Sequence, residues 1–137
     1  MTHTCKALLV TCMDFRFQQA VFEFAKAQGL SGQYDLYSIA GAQKTFLAEA
    51  TQATALKQVE LSRKLHGMTN VYLIAHWDCG AYGGSQTFET PDKQRQTYLD
   101  DLDKAKNMIL KHFREIQVRK YLANIDEDEN IRFEAIK

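Results

Sequence analysis

The chain has 137 residues, 45% hydrophobic and 25% charged, which supplies one core and is too short for two ordinary domains, so a single globular domain over residues 1–137 is expected. Seventeen basic residues balance seventeen acidic ones, with no long stripe of either sign; this excludes the electrostatic footprint of a nucleic-acid or anionic-membrane binder and leaves a small molecule as the expected partner. No apolar run approaches the roughly 20 residues that span a bilayer, and MTHTCKALLV lacks the basic segment and long apolar stretch of a signal peptide, so the chain reads as cytoplasmic.

ALLV, Ala7 to Val10, is a continuous apolar run of the kind found in a strand buried on both faces. Helical spacing of Phe17, Ala20, Val21, Phe24 and Ala25 predicts a helix from about Phe15 to Gln28, ended by Gly29. YDLYSIA, Tyr34 to Ala40, reads as a second strand with Gly41 at its turn. A second helix is expected from about Thr45 to Leu65, with Gly67 beyond it, and VYLIA follows as the third strand. Thr90 and Pro91 read as the cap and first position of a third helix, whose buried stripe runs from Tyr98 to Ile116. QVRKYLANI and IRFEAI flank the polar DEDEN, so Gln117 to Ile136 reads as a hairpin with a solvated turn, although Val118 to Leu122 could prolong the helix.

This order predicts an α/β fold: a mainly parallel central sheet flanked by helices, with the C-terminal hairpin adding antiparallel strand. If strands one and three are neighbours and strand two lies outside strand one, a topological switch point forms beyond their carboxyl ends, where ligands bind in such sheets. The sequence places CMDFR after strand one and HWDCG after strand three. A cysteine at a strand end is usually a small buried hydrophobe, and HxxC arises by chance. Together, however, Cys12, His76 and Cys79 supply three of the four donors of a tetrahedral zinc, leaving a place for water or a carboxylate. Three cysteines in a reducing compartment also suit thiols or metal ligands better than a disulfide framework. Asp14 beside Arg16 reads either as a surface ion pair at a helix start or as a dyad serving the metal.

CxDxR at Cys12 to Arg16 with HxxCG at His76 to Gly80 resembles the signature of the β-class carbonic anhydrases. The resemblance implies Zn2+ on Cys12, His76 and Cys79, a catalytic dyad of Asp14 and Arg16, and reversible hydration of carbon dioxide to bicarbonate. It also implies a homodimer or higher homo-oligomer. Relatives that hydrolyse carbonyl sulfide or carbon disulfide share these motifs, and a non-catalytic zinc domain closed by Asp14 is a third reading. Two departures stand out. Eleven residues precede Cys12, too few for the helical arm with which many members embrace a neighbour, and SIAGA, Ser38 to Ala42, replaces an Arg-Asn-Ala-Gly-Asn-like stretch. Gly41, Gly80, Gly83 and Gly84 are expected at tight turns. Asp78 lies between the ligands and could hydrogen-bond near the site, though it reads first as a solvated loop acid, and His3, Cys5, His66 and His112 receive no function.

Overall fold

The apolar runs become the middle of a sheet. In a computed structural model, which describes residues 3–137, the strands are β1 (Ala7–Thr11), β2 (Tyr34–Ser38), β3 (Asn70–His76), β4 (Gln117–Ile125) and β5 (Ile131–Ile136). Their order is β2-β1-β3-β4-β5. The helices are α1 (Gln18–Ala27), α2 (Gln52–His66) and α3 (Pro91–His112).

Every residue of β1 is buried because helices cover both faces. Ala7 and Leu9 pack with Phe17, Val21 and Phe24 on the α1 side. Leu8 and Val10 pack on the other side with Ala55 and Val59 of α2 and Leu102 and Ile109 of α3. Alternate side chains of a strand point to opposite faces, so a strand covered twice must be apolar throughout.

β1 runs parallel to both β2 and β3, with Thr11 opposite Ser38 and Val10 opposite Leu73. β2 lies outside β1, so the condition for a switch point is met. The first arm of the hairpin extends the parallel set, from Asn70 opposite Gln117 to His76 opposite Ala123, and only β5 is antiparallel. DEDEN is a turn: Asp126 Oδ1 accepts the Asp128 and Asn130 amides, both at 2.9 Å.

Three helix boundaries differ from expectation. α1 begins at Gln18 rather than about Phe15, because Phe15–Phe17 winds as a 3-10 turn. α2 begins at Gln52 rather than Thr45, because Ala42–Phe46 winds as a 3-10 turn after Gly41, whose φ is +82°. The Thr45 hydroxyl donates to the Ala42 carbonyl at 2.7 Å, and the Gln52 amide donates to the Phe46 carbonyl at 2.9 Å, so side chains take up backbone acceptors that a continued helix would use. α3 ends at His112, where Phe113 leaves helical geometry at φ −137° and ψ 77°. Thr90 caps α3 by accepting the Lys93 amide at 3.1 Å. Among the described residues no helix is long and apolar enough to cross a membrane.

A candidate metal centre at the carboxyl ends of β1 and β3

Strand parity delivers the donor residues to one point. Continuing the alternation of Leu8 and Val10, Cys12 falls on the α2 and α3 side, where Cys79 also packs. His76 shares parity with Tyr72 and Ile74 on the opposite side, and its ring lies 4.4 Å from that of Phe17. One donor atom each from Cys12, His76 and Cys79 lies within 4.8 Å of the others.

His76 is 3% exposed. Its Nδ1 lies 2.8 Å from the Trp77 carbonyl, which can only accept, so the proton sits on Nδ1 and the lone pair on Nε2. That buried Nε2 has no hydrogen-bond partner among the described residues. Leaving a buried acceptor unpaired costs about 1–3 kcal/mol, a cost removed if the nitrogen ligates a cation. An imidazole nitrogen with its other N–H on a carbonyl, beside two sulfurs, is a donor set that fits Zn2+.

The sulfurs are prepared for such an ion. The Cys79 thiol is the largest of the influences that lower Cys12 to about 4, against the opposing effect of burial, with His76 and the Gly41 and Asp14 amides adding to it. Cys79 is pushed up in return, first by Cys12 and then by burial. The opposed shifts follow from the closeness of the two sulfurs, and a metal binding there would take the place of thiol protons.

Asp14 and Arg16 form a fork beside the donors. Arg16 Nη2 donates to Asp14 Oδ2 at 2.7 Å, and Nε donates to Oδ1 at 3.1 Å. The Arg16 amide also donates to Oδ1, at 2.9 Å, so Asp14 caps the turn Phe15–Phe17. Arg16 is the chief cause that lowers the Asp14 pKa, and Asp14 in turn raises that of Arg16. Asp14 Oδ2 stands 3.9 Å from His76 Nε2. The carboxylate therefore borders the donor triangle while remaining engaged by Arg16.

Asp78 is not the solvated loop acid expected from its place in HWDCG. Its Oδ2 accepts Arg16 Nη1 at 3.0 Å, its carbonyl accepts Nη2 at 3.0 Å, and its Oδ1 accepts the Ser85 amide at 2.7 Å. The Ser85 amide leads the causes that lower its pKa, with Arg16 contributing. Arg16 is thus held between two carboxylates. The signal available in the sequence was only an acid between two candidate ligands, and the contact with Ser85 is set by the fold of the loop.

Cys12, Asp14, Arg16 and Asp78 line a cleft of ≈ 740 Å³. Its wall is largely apolar, with Met13, Phe15, Ala40 and Ala81 contributing. Phe15 is 86% exposed and Met13 63% exposed. Two further aromatics near the site lie deeper: Phe46 is fully buried, and the Tyr82 hydroxyl donates to Asp101 at 2.7 Å while accepting from Gln43 at 2.9 Å. Gly41 lies where backbone must approach closely, since a Cβ there would stand 3.0 Å from that of Ala81. His112 is remote, bonded to the Met108 carbonyl on its own helix. Cys5, His66 and His3 do find one another, with Asp35, at the opposite end of the sheet.

Comparison with known protein families matches residues 2–136 to the family described as "Putative carbonic anhydrase". The chain belongs to that family. Among solved structures it is similar to the β-carbonic anhydrase CafA of Aspergillus fumigatus, with a TM-score of 0.51 and 14% identity over 99% of this chain and 76% of that one. At that identity the likeness shows a shared fold. Two relatives, both uncharacterised proteins, come from Rickettsia bellii and Rickettsia conorii. Each is 26% identical over 87% of this chain, which spans 76% and 67% of their lengths respectively.

Proposed function

We propose that this member of the carbonic anhydrase family is a zinc enzyme that interconverts carbon dioxide and water with bicarbonate and a proton. The observation that carries the reading is the unpartnered, buried Nε2 of His76, set beside two sulfurs and bordered by a carboxylate already bound by arginine. Cys12, His76 and Cys79 hold the metal in this reading. Zinc bound there would supply a Lewis acid that lowers the pKa of water toward about 7.

The chain's own residues supply the rest. Asp14, kept ionised by Arg16, accepts a hydrogen bond from the water that adds to carbon dioxide and so orients its lone pair. Arg16 holds the carboxylate in place with parallel N–H bonds, a geometry lysine cannot reproduce. The apolar wall of the cleft suits an uncharged, apolar gas. The engagement of Asp14 by Arg16 favours an open fourth position over the closed, non-catalytic alternative.

For the assembly we propose at least a homodimer in the cytoplasm. Exposed Met13 and Phe15 at the mouth of the cleft support association, and three free thiols suit a reducing compartment.

Stopped-flow hydration of carbon dioxide, with metal analysis of the same sample, tests the activity. Zinc-loaded protein should hydrate carbon dioxide faster as pH rises from neutral to alkaline. Asp14→Asn and Arg16→Ala should keep zinc and lose at least tenfold in turnover. Cys79→Ser should lose zinc itself. Zinc-loaded protein without hydration activity at any pH would sink the reading, and release of hydrogen sulfide from carbonyl sulfide or carbon disulfide would then reassign the substrate. Light scattering that shows only monomer would remove the proposed assembly.

A further inference from the structure

At the opposite end of the sheet, where β1 and β2 begin and α2 ends, Cys5, Asp35 and His66 come together. One donor atom from each lies within 4.8 Å of the other two, the same closeness found for Cys12, His76 and Cys79. Cys5 Sγ is 3.7 Å from Asp35 Oδ2, and His66 Nδ1 is 2.7 Å from that oxygen. His3 stands beside them, its ring centroid 4.7 Å from that of His66. All four line one open cleft of ≈ 290 Å³.

We infer that this cluster is a second metal site, taking a divalent cation of the zinc type on Cys5, Asp35 and His66, with His3 as the fourth donor. One thiolate, two imidazoles and one carboxylate form a set suited to zinc or cobalt and unsuited to calcium or magnesium, which require oxygen throughout. The donors are mounted on ordered backbone. Asp35 is the second residue of β2, His66 is the last residue of α2, and the Cys5 amide donates to the His66 carbonyl at 2.9 Å. Ser62, itself 5% exposed, donates its hydroxyl at 2.6 Å to the same Asp35 Oδ2 that faces Cys5 and His66 and so orients the carboxylate.

The spacing needs little adjustment. Donors around a tetrahedral zinc stand roughly 3.3–3.8 Å apart, given bond lengths of about 2.0–2.3 Å. Cys5 and Asp35 are already at 3.7 Å. Asp35 and His66, now sharing a hydrogen bond at 2.7 Å, separate slightly as the cation takes the place of that proton. The seven strand steps from Cys5 to Cys12 put the two clusters roughly 20 Å apart, so they cannot share an ion. Bound metal here ties the segment before β1 to β2 and to the end of α2.

Cobalt(II) titrated at neutral pH into zinc-loaded full-length protein, with zinc content followed in parallel, reads the site. One further equivalent should bind with the ligand-field bands of four-coordinate cobalt and a thiolate charge-transfer band, and should raise the thermal midpoint. Cys5→Ala should abolish the charge-transfer band, and His66→Gln and Asp35→Asn should each weaken binding at least tenfold, while His112→Gln leaves the titration unchanged. Absence of a further equivalent would overturn the inference. So would binding without a sulfur band that persists in Cys5→Ala and His66→Gln, and the cluster would then be a hydrogen-bonded clasp.

Discussion

Arg16 serves two carboxylates with one guanidinium. Five donors in a rigid fork allow it to grip Asp14 on one side and Asp78 on the other. Asp78 holds a left-handed backbone, φ +58°, which is unfavourable for a residue with a Cβ, and the Ser85 amide at 2.7 Å helps to hold it there. The local strain places an anchor against which Arg16 aims Asp14. Asp78→Asn keeps the shape and removes the charge; turnover is expected to fall about tenfold with zinc content unchanged, as for other residues that orient a metal site from behind. Asp78→Gly should relieve the backbone and still lose activity. Full turnover in both variants, measured as carbon dioxide hydration, would reduce Asp78 to a surface contact. Cys12, Asp14, Arg16, His76 and Cys79 were legible in the sequence because each is a chemically distinctive residue just past an apolar run. Asp78 was not, since a loop acid is ordinarily solvated. Cys5, Asp35 and His66 were not, since they sit in three segments whose meeting depends on strand register.

At the scale of elements, continuous apolar runs and 3.6-residue periodicity marked the presence of β1, β3, α1 and α3, though not the start of α1 or the end of α3, because burial on one stripe or on two faces writes itself into the pattern. The stretch from Thr45 to Thr51 misled, for its composition suits a helix while its hydroxyl and amide side chains close a 3-10 turn instead. That turn matters to the site: Gly41 starts it in a left-handed conformation, and its backbone is among the influences that lower the Cys12 pKa. Gly41→Ala should therefore do two things. It should cost about 1–2 kcal/mol for the left-handed backbone, plus the strain of a Cβ only 3.0 Å from that of Ala81. It should also weaken zinc retention. Gly29→Ala is the control, with φ +74° but nothing within 4 Å of the new methyl. Urea unfolding should show the larger loss for Gly41→Ala, and chelator competition should show weaker zinc binding only there. Equal losses and unchanged zinc would mean that the Gly41 turn is independent of the site.

For the whole molecule, the alternation of strands and helices foretold that the first three strands run parallel, and the order around the switch point, stated as a condition, is met, whereas the direction of β4 was hidden, because a strand pattern looks the same in a hairpin or a crossover. What fastens this last hairpin is partly charge. Lys120, only 6% exposed on β4, pairs with Asp103 of α3. On β5, Glu134 accepts Arg95 of α3 at 2.6 and 2.8 Å, with Asn124 Nδ2 at 3.3 Å. Charged residues on an edge strand also discourage pairing with another chain. Arg95 is the leading cause that lowers the Glu134 pKa below its ordinary 4.5. A carboxyl that ionises more readily when folded contributes stability that is complete above the unfolded value and is lost as pH falls through the lower, folded value. The pair is partly exposed, each side chain at 40%, so its contribution is about 0.5 kcal/mol, as for other solvated ion pairs. Urea unfolding of chelated protein, with metal release thus removed, should show this contribution constant from about pH 7 to 5 and vanishing below about pH 4.5. Arg95→Gln should lower stability on the neutral side, and the difference from the original protein should close in acid. A difference that stays constant across the whole range would assign the effect of Arg95 to packing against β5 and remove the charge from the account of how this edge is held.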